Sequence, residues 1–282
     1  MSVWFITGAS RGLGAEIARE ALARGHQVVA TARDAEAVRR AFPEASGSLL
    51  PVTLDVTEES TIRTAVDAAL ARFGRIDVLV NNAGRGLVAA VEEASDAAVR
   101  ASFDINFFGV LSTLRAVLPT LRAQRSGHVI NISSVGGFAS APGVGLYGAT
   151  KFALEGMSEA LHGELAPLGV NVTIVEPGGF RTDFLDPSSL HTEPHVIDDY
   201  APTAGATRTA LAGFNHLQPG DPAKAAAAIV GIADIAEPPL RLQLGTDSVA
   251  RVEAKLDLVH RELAQYRALA LSTDLAPVNH PA

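Results

Sequence analysis

Seven short apolar runs, separated by helix-like stretches, constrain this chain more than any other feature. They are Val3–Thr7, His26–Ala32, Leu49–Leu54, Ile76–Val80, His128–Ile132, Val170–Val175 and Leu240–Leu244. Short runs rich in β-branched residues, bounded by turn residues, read as strands buried on both faces. Strands that alternate with helices imply a parallel sheet with helices on both faces, because each parallel crossover must return over one face. The expectation is α/β: a single doubly wound parallel sheet of about seven strands. No linker or internal repeat breaks the alternation, so the 282 residues read as one domain, although length alone allows two.

The intervening stretches carry helix punctuation. Ala15–Arg24 follows a glycine turn. Asp34 is placed to cap a helix over Ala35–Phe42, which Pro43 ends. Thr57 is expected to cap the next helix, whose first turn holds Glu58 and Glu59. Ser95–Arg125 reads as one long helical region. A further helix runs from about Tyr147 to Ala166. Asp221 and Pro222 are an N-cap and first-turn proline pair. Thr246–Leu271 is an amphipathic terminal helix, and Ser272–Ala282 is expected to fray. Gly178–Gly220 is the least regular part, and a segment of that length between regular elements is usually a lid or mobile loop.

Several motifs sit at the carboxyl ends of the strand candidates, where open α/β sheets bind ligands. Gly8-Ala9-Ser10-Arg11-Gly12-Leu13-Gly14 lies between strand and helix. Glycines there let backbone approach a phosphate, and the helix N-terminus offers free N–H donors. After the second strand comes Arg33. In a dinucleotide fold an acidic residue there would bind the 2′-hydroxyl of NAD, whereas an Arg suits the 2′-phosphate of NADP. Arg11 is expected to reach the same corner, so the expected cofactor is NADP(H). Arg33 could equally be a solvated loop charge. Asp55, followed by Val56, could accept from an adenine amino group or serve a turn. Asn81-Asn82-Ala83-Gly84 combines small residues with amides that suit a closely held ligand. Asn106, among Phe103, Ile105, Phe107 and Phe108, is either a satisfied core amide or a holder of water or a backbone carbonyl near the site. Ser133 and Ser134 precede a glycine turn and can reach a bound carbonyl, or bond their own backbone.

Tyr147 and Lys151 are four apart, on one helical face. An unperturbed phenol has a pKa of about 10. A neighbouring ammonium favours the phenolate, so the expectation is a lowered pKa and a phenol able to protonate a developing alkoxide. A surface pair of no consequence is the alternative.

Composition removes several function classes. The net charge of −8 argues against binding driven by phosphate neutralisation, so no nucleic-acid partner is expected. Cysteine is absent, which excludes disulfides, thiolate chemistry and cysteine zinc sites. His191 and His195 are four apart, but Pro194 lies between them and no ligand set completes a site, so no metal is expected. No basic segment precedes the first apolar run, and Ala225–Ala236, interrupted by Asp234, is the nearest approach to a membrane span. No membrane partner and a cytoplasmic location are the expectations.

Thr7-Gly8-Ala9-Ser10-Arg11-Gly12-Leu13-Gly14, Asn81-Asn82-Ala83-Gly84, Asn106, Ser134, Tyr147-x-x-x-Lys151 and Pro177-Gly178 with Thr182 together resemble the classical short-chain dehydrogenase/reductase family. The resemblance covers about Val3 to Thr182 and then, less specifically, the last strand. It implies a Rossmann-type fold and a tetrad of Asn106, Ser134, Tyr147 and Lys151. Tyr147 would be the general acid/base and Ser134 would bind the substrate oxygen. Lys151 would contact the nicotinamide ribose and lower the Tyr147 pKa, and Asn106 would help hold a relay water. Gly8, Ser10, Arg11, Gly12, Leu13, Arg33, Asp55, Val56, Asn82, Ala83, Gly84, Pro177, Gly178 and Thr182 fall at cofactor positions. Thr31-Ala32-Arg33 looks like NADP-preferring members. The run from Pro177 to Asp183, with the terminal extension, is similar to the branch near 17β-hydroxysteroid dehydrogenases.

The implied organisation is a cofactor-binding and catalytic core over 1–177, a substrate loop or lid over 178–220, and a last helix, last strand and C-terminal extension over 221–282. The implied activity is interconversion of a carbonyl and an alcohol, with NADP(H), on a small-molecule substrate; the apolar residues of the loop after Gly178 suggest a hydrophobic one, or serve only to pack a closing lid. Family members often pair through helices matching Phe103–Gln124 and Tyr147–Ala166, so a homodimer or homotetramer is expected. A non-catalytic NADP(H)-binding regulatory protein is the competing class. Isomerisation or dehydration after transient hydride transfer is a third reading.

Overall fold

The computed structural model describes residues 1–44 and 47–275. Its strands are β1 (Val3–Ile6), β2 (Gln27–Ala32), β3 (Leu49–Thr53), β4 (Val78–Asn81), β5 (Gly86–Val88), β6 (Gly127–Ile132), β7 (Val170–Pro177), β8 (Leu190–Thr192) and β9 (Arg241–Leu244). The α-helices are α1 (Gly12–Ala23), α2 (Ala35–Ala41), α3 (Glu59–Phe73), α4 (Asp96–Phe103), α5 (Gly109–Gln124), α6 (Gly145–Leu165), α7 (Ala206–Phe214), α8 (Pro222–Ile232) and α9 (Thr246–Leu271).

Seven strands form one sheet in the order β3-β2-β1-β4-β6-β7-β9, all paired in parallel. The pleat divides the core. Val3 and Phe5 of β1 point into a layer shared with α3, α5 and α6, through Ile62, Leu114 and Leu154. Trp4 and Ile6 point into the opposite layer with α1 and α8, through Ile17 and Ile229. Alternate side chains facing opposite sides is the strand period itself, and the two greasy faces are why every β1 residue is apolar. The strand order reverses at β1, so a crevice opens between the carboxyl ends of β1 and β4.

The seven expected strands are those of the sheet, with ends shifted by a residue or two. Asp34 caps α2, accepting from the Glu36 N–H at 2.9 Å, and Asp221 caps α8, accepting from the Ala223 N–H at 2.9 Å. Thr57 does not cap α3. Its hydroxyl and N–H both donate to Asp55 Oδ1, at 2.7 and 2.9 Å, and the N-cap is Glu58, whose side chain makes no cap bond. Asp55 draws Thr57 into its own turn.

The long helical region expected over Ser95–Arg125 runs from Asp96 to Gln124, with a π-helical segment, Asp104–Phe108, between α4 and α5. The helical stretch nearest to a membrane span is Asp96–Gln124, in which an 18-residue window reaches a mean hydropathy of 1.2, and not Ala225–Ala236. Val110, Leu114, Val117 and Leu121 of that stretch are buried in the core, which accounts for its apolar character. Segment 178–220 is more regular than its sequence suggests. It holds β8, which pairs in parallel with β5, and α7. Residues 276–282, most of the tail expected to fray, lie outside the described residues.

Candidate active site

A cavity of about 810 Å³ runs from the glycine turn past the carboxyl ends of β4 and β6 to α7 and α9. Every residue expected at a cofactor position lines it, as do Ser134, Tyr147 and Lys151. Asn106 does not line it and lies immediately behind its wall.

The nucleotide end is built by backbone. Gly8 has φ of +68°, and a Cβ there would come 3.0 Å from Ala83 Cα. A Cβ at Gly14 would come 2.4 Å from both the Gly8 carbonyl and Asn82 Nδ2, so only glycine lets strand, turn and helix approach this closely. Asn82 holds the turn from the β4 side, its amide donating to the Thr7 and Gly8 carbonyls at 2.9 and 3.0 Å. No side chain caps the N-terminus of α1 and no acidic residue sits in its first turn. That end therefore presents uncommitted N–H groups and a partial positive charge into the cavity, which suits a pyrophosphate. Arg33 is exposed at the end of β2 and also lines the cavity. The residues present fit a nicotinamide dinucleotide. Arg11 does not turn toward Arg33 as expected. Its guanidinium donates to Ser188 and Ser189 at 2.7 Å each, because the loop after β7 folds back over the glycine turn.

The chemical end is built by β6, α6 and the π-helical segment. Ser134 leaves β6 in extended conformation, and its Oγ accepts from the Gly136 N–H at 3.0 Å. Lys151 is buried, and its ammonium donates to the Ile132 carbonyl at 2.9 Å. The ammonium stands 5.9 Å from the centroid of the Tyr147 ring. Asn106 is fully buried and satisfied. Its Oδ1 accepts from Arg85 N–H at 2.9 Å, and its Nδ2 donates to Arg85 C=O at 2.9 Å and Thr150 Oγ1 at 3.1 Å. Thr150 in turn donates to the Tyr147 carbonyl at 2.7 Å. The wider π turn thus aims one amide at both the loop after β4 and the first turns of α6.

Electrostatics depart from the expectation. The Tyr147 phenol is pushed up to about 12 by burial, with the Ser134 hydroxyl acting the other way; it is not lowered. Burial also pushes the Lys151 ammonium down to about 8, against the pull of Glu155, which still leaves it charged at neutral pH. Desolvation outweighs a charge–phenol attraction across this distance.

Sequence reasoning missed what lies beneath and beside this centre. Glu155, one helical turn beyond Lys151, is buried, and its carboxyl is pushed up to about 7 by burial. Burial also raises Glu176. Arg241 of β9 reaches Glu155 at 3.2 Å, Glu176 at 3.7 Å and Glu159 at 2.5 Å. The spacing of four from Lys151 was the available signal for Glu155; the Arg241 partnership across the sheet had none. Asp247 of α9, which accepts from the Gly179 N–H at 2.7 Å, and Arg251 of α9 close one end of the cavity.

The remaining wall is largely apolar: Leu87, Val144, Phe184, Leu190, Leu211 and Phe214. Phe184 leans on Tyr147 with ring centroids 6.0 Å apart. His191 bonds Glu193 at 3.2 Å rather than pairing with His195. Asp183, Asp186 and His216 bring ligand-type atoms within 4.8 Å of one another, and Asp186 is already engaged by Asn215 at 2.7 Å and His216 at 3.1 Å.

The family profile described as short chain dehydrogenase matches residues 2–193. Oxidoreductase BOA17 of Botryotinia fuckeliana is 39% identical over 272 residues, covering 96% of this chain and 98% of its own. The 3-ketodihydrosphingosine reductase of Bacteroides thetaiotaomicron is 38% identical over 245 residues, covering 85% and 86%. A crystal structure of a short-chain dehydrogenase from Streptomyces avermitilis superposes with a TM-score of 0.88 at 43% identity, covering 97% of this chain and all of that one.

Proposed function

As the chain belongs to the short-chain dehydrogenase family, and hence to the nicotinamide-dependent oxidoreductases, we propose that it reduces an apolar ketone or aldehyde with NADPH. One observation carries this reading: Ser134, Tyr147 and Lys151 line the same cavity that begins at the uncapped N-terminus of α1. A nicotinamide bound there would supply hydride for the carbonyl carbon. Everything else is asked of the chain itself. Gly8, Ser10, Arg11, Gly12 and Leu13 would hold the pyrophosphate side, and Asp55 and Val56 the adenine side. Asn82, Ala83, Gly84, Pro177, Gly178 and Thr182 would line the route to the nicotinamide.

Ser134 and Tyr147 act as donors to the carbonyl oxygen, and their hydrogen bonds strengthen as negative charge builds there. Tyr147 then gives its proton to that oxygen. A phenol near 12 is still far more acidic than an aliphatic alcohol, so the transfer runs downhill toward product. The same high value leaves little phenolate at neutral pH to act as a base on an alcohol. Lys151 keeps a positive charge beside the phenol and would bind the nicotinamide ribose. Asn106 fixes the Arg85 backbone and, through Thr150, the start of α6.

The preference for NADP(H) rests on Arg33 at the end of β2, with no acidic residue ahead of it. The apolar substrate rests on the wall formed by Leu87, Val144, Phe184, Leu190, Leu211 and Phe214, and it agrees with the lipid-like substrate that names the Bacteroides relative. No similarity favours the non-catalytic reading. The test is depletion of NADPH over ketones and aldehydes of graded size and polarity. Turnover that rises with apolar bulk is expected; turnover confined to small polar carbonyls, or none on any member, overturns the reading.

A further inference from the structure

α9 begins seated on the body and ends with nothing beside it. At its base Ser248 and Val252 are buried. From Leu256 to Leu271 every residue is exposed. Those sixteen residues rise about 24 Å at 1.5 Å each. A helix of that length is marginal in water without tertiary contacts, and among the described residues none covers it.

Several of its apolar residues fall on one line, with Leu258, Leu269 and Leu271 off it. Val252, Leu256, Val259, Leu263, Tyr266 and Ala270 follow one another at intervals of four, three, four, three and four. That alternation is the seam of a coiled coil, apolar at two positions in each seven. The stripe that seats the helix at Val252 thus runs on past the edge of the body. Leu256, Val259, Leu263 and Tyr266 are 53%, 45%, 56% and 55% exposed.

We propose that this stripe is an interface for the α9 helix of a second copy of this chain, running antiparallel. The six seam positions read the same in both directions. Reversal sets Val259 against the partner's Leu263 and Leu256 against the partner's Tyr266. Ala270 then comes level with the partner's Val252, which is seated on its own body, so each helix tip ends where the other helix joins its body. A parallel pair would bring both bodies to the same end, on the side the seams must share. One flank agrees with reversal, since Glu253 comes beside the partner's Arg267 and two-fold symmetry repeats the pair, whereas the other brings Glu262 beside its own copy. Charges at such flanking positions set partner and orientation. A lipid surface fits less well. Surface-bound helices carry a basic polar face, whereas α9 holds four Lys/Arg and four Asp/Glu, leaving no net charge.

The experiment measures the mass of the full chain by light scattering. The double variant Leu256→Lys with Leu263→Lys should halve the mass while cofactor binding and turnover stay at the parent's level. Glu253→Arg and Arg267→Glu should each weaken the assembly, and the two together should restore it. An unchanged mass in the lysine variant overturns the proposal. Single charge variants that dissociate the assembly without recovery in the double variant overturn the antiparallel arrangement. Flotation of the parent with phosphatidylcholine vesicles, abolished by the lysine variant at constant mass, assigns the stripe to a membrane instead.

Discussion

Tyr147 shows how much a residue's chemistry depends on what surrounds it. Its partnership with Lys151 was legible because a spacing of four places two side chains on one helical face. Its pKa was not, because the burial comes from elements remote in sequence, the ring of Phe184 among them. Under the proposed chemistry, alcohol oxidation should climb about tenfold per pH unit through the neutral range, since the phenolate fraction does so below its pKa. Carbonyl reduction should stay flat over the same range, as initial-rate profiles in both directions will show. Glu155 gives a second pH signature. Its carboxyl is raised from its ordinary value to about 7, so the folded state holds this proton more tightly than the unfolded chain. That stabilisation is complete below about pH 4.5 and is lost as pH rises through about 7. Glu155→Gln, which has no proton to lose, should lose less stability than the parent between those limits in urea denaturation. Arg33 belongs at this scale too. Arg33→Ser should weaken NADPH more than NADH in titrations of each cofactor, and equal weakening would remove the basis for NADP preference.

The elements divide by how they announce themselves. Strands and long helices carry period-two and period-3.6 patterns, so the seven-stranded sheet could be anticipated from Val3 to Leu244. The π-helical segment at Asn106 could not, because one wide turn leaves the apolar periodicity of its flanks nearly intact. Nor could β5 and β8, which are three residues each and too short to show alternation. The consequence of the π turn is testable. Asn106 satisfies both backbone groups of Arg85. Asn106→Ala takes the partner from both of these half-buried groups and should lower stability by about 1–3 kcal/mol, measured by urea denaturation. Activity should fall as well, because the same amide reaches α6 through Thr150. Unchanged stability would mean that water replaces the amide and that the π turn does not support the site.

Across the whole molecule, one cavity joins regions that sequence presents as separate. The glycine turn, the end of β6, the start of α6, the loop after β7 and the first turn of α9 all contribute to its wall. The ends of strands were legible as a ligand site because any open parallel sheet places them there. The contributions of Asp247 and Arg251 were not, since the chain must fold its last helix back over β7 before they arrive. The central claim is that this cavity transfers hydride with Tyr147 as the proton donor. Its most direct test is the rate of NADPH oxidation by the parent and by Tyr147→Phe on the best ketone of the graded panel, with NADPH affinity measured on both. A loss of about 10²–10⁴ in rate with unchanged NADPH affinity is the expected result, and a variant that turns over at the parent's rate would contradict it.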